Sequence, residues 1–424
     1  MLKTLCHFLF ASFLGASLLF AQNETMDIDV SQNETPALEG KQEDPDMDAL
    51  RKWIRQKRLV TVKEIGGDLS LSGEVRAEMQ AIREIRNGVK QRGPNSESGK
   101  PDYSFDIEAN ILLDYRAERT WASIKIEFDN DMGQVSGTTN RIALERAYFG
   151  GRMINGNTVT FDGEIGRRYL GNIFDSKIEF SSLFDGLLLK FSKASDAMGD
   201  FYINSGVFII NDEERQFGFI AEMGMLNIGN TGLYTKYSIV DWKEHKYPEG
   251  VQWNRYNYIV SQLILGYQFT VSPVSRLVKF YAAALYNHAA KKILLSDYKK
   301  ANQGYYAGVS VGQVRKRGDW AFDFNYQYVM PQAIPDFDVG GIKRGNAMGV
   351  GFFTQNLNGT GAEITRRQDA VGSCNYHGFS FEFLYALSNN LTWQNSFQWS
   401  RNQTRRVGPH FKYRMYEMEF IYAF

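Results

Sequence analysis

Charged side chains two residues apart dominate the chemistry this sequence can offer. Glu74, Arg76 and Glu78 stand at alternate positions, as do Asp106 and Glu108 with Asp114 further on, then Lys125 and Glu127, then Asp162 and Glu164. Positions i and i+2 share one face of an extended strand, so each set makes a charged row on one side of a sheet. Among these residues eight carboxylates stand against Arg76 and Lys125. Rows of charge bordering water set ion preference; a generally hydrated wall without preference is the plainer reading, and both stay open. Nothing comparable points to catalysis. The histidines (His7, His245, His288, His377, His410) are scattered without metal-ligand spacing. The glycines of Gly349-Val-Gly351 and Asn358-Gly-Thr-Gly361 lack the Lys-Ser/Thr that completes a phosphate loop. No catalytic residue, metal ligand or cofactor site is assigned, and the chain is not expected to be an enzyme.

The elements that position these rows read as strands. Leu69, Leu71, Gly73, Val75, Ala77 and Met79 alternate with the first row, and Phe105, Ile107, Ala109, Ile111 and Leu113 with the second. From Asp68 onward such alternation recurs in runs of about ten residues, the period of half-buried strands. Short turns fall near Ala117, Asn155-Gly156, Asp196, Gly229-Asn230, Pro273, Gly318 and Asn389. Longer connections interleave with them: 84–102, 130–140, 168–182, 211–215, 242–256, 288–303, 331–375 and 402–410. Seven short turns and eight long connections give about sixteen strands with both ends on one side. The weakest alternation is Arg141–Gly151, where Arg146 falls on the apolar face unless a bulge re-registers it. In the last strand Tyr416, Met418, Phe420, Tyr422 and Phe424 oppose Glu417 and Glu419. Aromatics gather at strand ends, as at Trp320, Tyr328, Trp393, Trp399, Tyr267 and Phe269, where membrane girdles sit.

Composition fits this architecture. Gly 39 against Pro 9, with 14% aromatics, suits many strands, because proline is excluded from ladder interiors. A mean hydropathy of −0.36 is no objection, since barrel strands alternate lipid-facing with lumen-facing residues. Residues 1–21 carry an early lysine and a short apolar run ending at Ala21, the pattern of a secretory signal. Residues 22–48 hold nine acids against Lys41 and read as an acidic disordered leader. Within 49–66, Leu50, Trp53 and Ile54 at helical spacing among basic residues predict a short periplasmic helix. So short a basic stretch on an exported chain gives no reason to expect nucleic-acid binding. Residues 67–424 are then the barrel.

The expectation is an all-β chain: a transmembrane antiparallel β-barrel of about sixteen strands, wide enough to hold water. That points to a passive diffusion pore; a surface adhesin or structural barrel that merely displays loops is the alternative. Two features lie in the longest connection, 331–375. Loops beyond ~12–15 residues are usually functional or disordered, and Lys343, Arg344, Arg366 and Arg367 are candidates for an inward-folding constriction, with a surface flap as the other reading. Cys374 stays alone once Cys6 leaves with the signal, so it is either a disulfide partner for a neighbouring envelope protein or a buried inert thiol.

Asp68-Leu-Ser-Leu-Ser-Gly-Glu-Val-Arg76, Leu50-Arg-Lys-Trp-Ile-Arg-Gln-Lys-Arg58, Tyr115-Arg-Ala-Glu-Arg-Thr-Trp121, Ile126-Glu-Phe-Asp-Asn130 and the stretch from Glu145-Arg-Ala-Tyr-Phe149 to Gly166-Arg-Arg168 resemble outer-membrane porins of the chlamydial type, over roughly residues 50–200. The resemblance implies a sixteen-stranded porin in the outer membrane of a Gram-negative bacterium, with no cofactor. It also implies that Phe424 is an assembly signal read by the barrel-assembly machinery. The expected partners are outer-membrane lipid and lipopolysaccharide, with a homo-oligomer or disulfide-linked envelope proteins as further candidates.

Overall fold

The computed structural model describes residues 60–64, 67–96, 98–133, 141–195, 198–212, 216–242, 258–271, 276–290, 292, 298–344, 357–358, 362–363 and 372–424. The signal and leader (1–48) and most of the basic segment lie outside them. The short helix expected on Leu50, Trp53 and Ile54 lies outside them as well, and the described end of that segment, Val60–Glu64, is a strand, in keeping with the β-branched Val-Thr-Val that opens it.

Alternation becomes strand as expected. In chain order the long strands are β1 (Gly67–Arg86), β2 (Tyr103–Arg116), β3 (Thr120–Asp131), β4 (Arg141–Asn155), β5 (Val159–Tyr169), β6 (Leu183–Lys193), β7 (Asp200–Asn211) and β8 (Gln216–Ile228). They continue as β9 (Leu233–Asp241), β10 (Ile259–Val271), β11 (Arg276–Asn287), β12 (Gln303–Gly312), β13 (Trp320–Val329), β14 (Tyr376–Ala386), β15 (Leu391–Asn402) and β16 (Phe411–Ala423). Each pairs antiparallel with its neighbour, and β16 pairs with β1 from Glu74↔Ala423 to Arg86↔Phe411, so the sheet closes without a free edge. Among the described residues this is a closed barrel of sixteen strands. β16 stops opposite Gly73, where Phe424 exchanges both backbone hydrogen bonds with Gly73. Below that point Val60–Glu64 takes over the ladder, pairing Val60↔Leu71 through Glu64↔Gly67. The lower end of β1 therefore keeps a partner on each side, which a bare edge would lack.

The outer surface is an apolar belt. Phe105, Ile107, Ile111, Ile124, Ile142, Phe149, Phe219, Leu265, Phe280 and Tyr422 all stand exposed on it. In water such a continuous surface would be a liability; in a bilayer it is the required one. The weak region of alternation has a structural cause. Lys125 pairs with Arg146 but Ile126 pairs with Leu144, so Glu145 is a bulge residue that re-registers β4. Ile142 and Leu144 before the bulge and Phe149 after it all remain on the exposed face, while Arg146 turns inward.

The hydrophobic core lies inside the barrel, against one half of its wall. The connection 170–182 does not form an outer loop. It folds inward and buries Leu170, Ile173, Phe174, Ile178 and Phe180 against Phe184, Phe208, Trp242, Tyr306 and their neighbours. The segment 330–344 joins it with Ala333, Ile334, Val339 and Ile342. Inward-facing glycines make room beneath aromatic rings on this wall: a Cβ on Gly266 would stand 2.0 Å from the ring of Tyr234 across the β9–β10 pair.

Candidate functional site

The inward segment 170–182 is fixed to the far wall by a polar set, and a cavity remains along the opposite wall. The Asp175 carboxylate takes Lys236 Nζ at 2.6 Å, its backbone N–H donates to Glu222 at 3.2 Å, and its carbonyl accepts from Gln262 at 2.7 Å. Lys177 Nζ lies 3.3 Å from Asp323, whose carboxylate also accepts from Tyr281 and Ser310. Burial opposes ionisation of Asp175, but Lys236, Lys279 and Lys177 outweigh it and hold its carboxyl down at about 2. The two inward segments meet at Asp338, which accepts from the backbone N–H groups of Phe180 and Ser182 at 3.1 and 2.9 Å. Burial pushes the Asp338 carboxyl up to about 7. It also raises Glu179, with the nearby Asp338 charge adding to the shift.

Opposite this plug, β1–β5 and Asn172 enclose a cavity of about 270 Å³. Its charged lining is Glu74, Arg76, Glu108, Lys125, Glu127, Glu145 and Arg146. Arg76 is the hub, 2.5 Å from Glu74, 3.4 Å from Glu419 and 3.8 Å from Glu108. Lys125 bonds Glu145 and lies 3.8 Å from Glu127. One step along the strands, the register aligns Glu419, Glu78, Asp106 and Asp131 on a single rung across β16, β1, β2 and β3. Side chains directly opposite in a sheet stand about 4.5–5.5 Å apart, and like charges there repel. Glu417 sits one position further along, where it accepts from Gln80 at 2.9 Å.

Seven of the expected lumen residues thus come together: Glu74, Arg76, Glu78, Asp106, Glu108, Lys125 and Glu127. Five of these line the cavity, and Glu78 and Asp106 lie on the neighbouring rung; the other three stand apart from both. Asp114 accepts from Ser123 at 2.6 Å. Asp162 is held by Arg152 through two contacts at 2.8 and 3.2 Å. Glu164 is bonded by Arg168, by Lys190 at 2.8 Å and by the Trp121 indole at 2.9 Å. Sequence reasoning overlooked Glu145, which shares the lumen with Arg146 because the bulge turns both inward; the signal was Glu145-Arg146, two charges in succession where alternation allows one.

Of the four cations expected to line a passage from the loop 331–375, the structure describes two, and Arg344 does not line one. Arg344 is fully buried, its guanidinium directed at the Pro409 carbonyl and over the Phe411 ring, 5.5 Å from its centre. The Lys343 backbone carbonyl accepts from Ser400 at 2.7 Å. The Arg344 side chain and the Lys343 backbone thus anchor an inward segment to the wall. Arg366 and Arg367 lie outside the described residues. The described part of this loop, 331–344, folds inward together with the earlier connection, 170–182. Cys374 is likewise enclosed: its Sγ donates to the Ile334 carbonyl at 3.2 Å, and burial pushes the thiol well up, with Asp336 adding to it. A sulfur so enclosed does not present itself to a neighbouring envelope protein. Among the described residues no group of three or more His, Cys, Asp or Glu could hold a metal ion.

Belt, closed ladder and polar lumen make this a transmembrane β-barrel of porin-like architecture. No protein-family model matches the sequence, and no curated protein matches it by sequence. Among solved structures the chain is similar to Pseudomonas putida OprB in its high-pH form, at 10% identity over 85% of this chain and 94% of that one, with a TM-score of 0.48. It is also similar to Salmonella typhi OmpF in complex with daunomycin (11% identity, 86% and 100% covered, TM-score 0.47) and to the outer-membrane channel DcaP of Acinetobacter baumannii (11%, 85% and 99%, 0.45).

Proposed function

We propose that this chain is an outer-membrane porin of a Gram-negative envelope, passing ions and small hydrophilic solutes by passive diffusion with a preference for cations. The observation that carries this reading is the rung Glu419–Glu78–Asp106–Asp131, set beside a water-accessible cavity and opposite a wall closed by an inward loop. A display barrel has no use for like charges ranged across four adjacent strands inside its lumen. A channel does, because rows of carboxylate attract cations and repel anions. The motifs Asp68–Arg76 in β1 and Tyr115–Trp121 at the β2–β3 turn support kinship with chlamydial-type porins as part of the same proposal, and with it Phe424 as the residue the assembly machinery engages. Planar-bilayer recording across a salt gradient tests the function. The purified barrel conducts, with a reversal potential on the cation side, and the double variant Glu78→Gln/Asp106→Asn moves it toward zero. A folded barrel that does not conduct belongs to the adhesin or structural class instead.

A further inference from the structure

On the outside of the barrel, at the end bearing the long connections, three neighbouring strands place cations immediately beyond the aromatic residues of the apolar belt. Outward positions of β15, β16 and β1 carry Arg401, Lys412, Arg414 and Arg83, with His377 of β14 beside them, and no outward position on these strands is acidic. The pairing sets like charges face to face: Arg83 stands opposite Arg414, and Lys412 opposite Arg401. All four are exposed. Among the described residues none of them forms an ion pair with a carboxylate. Arg401 instead bonds His377 at 2.9 Å and lies over Trp399, 5.4 Å from its ring. One step toward the belt come Phe379, Trp399 and Tyr416, on the same outward face. The rim elsewhere differs. Outward positions near this end of β8, β10, β11 and β13 hold Phe217, Ile259, Tyr286, Tyr326 and Tyr328, and Arg167 near the end of β5 is paired with Asp185 at 2.7 Å.

Facing like charges destabilise a sheet, so two adjacent cationic pairs ask for an anion between them. Arginine forks bind phosphate oxygens through paired N–H groups, and the aromatics below offer an apolar shelf for acyl chains. We propose that this face binds the phosphorylated headgroup of a membrane lipid, with Arg83, Arg414, Arg401 and Lys412 taking its phosphate and Trp399 and Tyr416 flanking its chains. The site lies on the lipid-facing wall and is independent of the lumen; only its assignment to the outer leaflet rests on the porin reading.

The test is native mass spectrometry of the full chain, delipidated in zwitterionic detergent and titrated with phosphatidylglycerol or with phosphatidylcholine of the same acyl chains. Inorganic pyrophosphate serves as the free-anion probe. Phosphatidylglycerol is retained at a saturable site and phosphatidylcholine is not. At about fivefold per cation near a membrane surface, Arg83→Gln/Arg414→Gln weakens that retention roughly thirtyfold, while Arg167→Gln leaves it unchanged. The independent pair Arg401→Gln/Lys412→Gln does the same, so one variant failing to fold does not end the test. All variants keep wild-type conductance and circular dichroism. Equal retention of the two lipids, or undiminished retention by both double variants, overturns the proposal. So does pyrophosphate binding at least as tightly as the lipid, which would make this a site for soluble anions. Lipid retention by a barrel that does not conduct sinks the porin function and leaves this site standing.

Discussion

Gly266 shows how tightly single positions are specified on the plugged wall. A methyl there would lie 2.0 Å from the Tyr234 ring, so Gly266→Ala forces the ring off its strand. Overpacking of this kind costs about 1–3 kcal/mol, and the expected result is a lower urea midpoint for the reconstituted barrel. Cys374 makes a prediction of accessibility: with its thiol enclosed and bonded to Ile334, maleimide labels it in the unfolded chain and not in the folded barrel. Fast labelling of the folded form would contradict the burial. Arg76 is the residue whose charge matters most to the lumen, since Glu74, Glu108 and Glu419 all converge on it. Arg76→Gln therefore raises the cation-to-anion permeability ratio, read as a larger reversal potential in a salt gradient. These roles were unequally legible in the sequence. The i, i+2 spacing placed Arg76 and its carboxylates on one face, but nothing local announced that Gly266 lies under a ring contributed by another strand.

At the scale of elements, strands and turns were readable because a period of two survives any tertiary context that keeps one face apolar and the other wet. The path of the connections was not. Leu170, Ile173, Phe174, Ile178 and Phe180 within one predicted outer loop were the available hint, since a loop exposed to water has no reason to carry five large apolar side chains. The inward path depends on partners such as Lys236 and Glu222, which lie far along the chain. Asp175 is the staple of this segment, and Asp175→Asn loosens it by about 1–3 kcal/mol, giving larger and noisier single-channel conductance. The pH dependence follows from the shifts. An Asp near 3.9 when unfolded and about 2 in place stabilises the segment fully above pH ~4, and that contribution is lost as pH falls toward 2. Asp338 runs the other way. Raised to about 7 by burial, it favours the joined segments while protonated, and their contact weakens as pH rises from ~4 through 7. Amide exchange of Phe180 and Ser182, whose N–H groups Asp338 accepts, should therefore quicken from pH 5 to 8 beyond the intrinsic rise.

For the whole molecule, closure of β16 on β1 converts sixteen half-polar strands into one lumen. It also makes neighbours of charges at opposite ends of the sequence: Glu78 and Glu419 share a rung only because the barrel closes. The strand number followed from the rhythm of short turns and long connections, whereas the rung of four carboxylates needed the register, which alternation alone leaves free. The central claim is that this lumen is an open, cation-preferring path narrowed by the segment 170–182. Its most direct test is the reversal potential of the purified barrel in a planar bilayer under a tenfold salt gradient, compared with the Glu78→Gln/Asp106→Asn variant. The account predicts steady conductance, a cation-side potential and a shift toward zero in the variant; a barrel that inserts and folds but carries no current, or one that prefers anions, would contradict it.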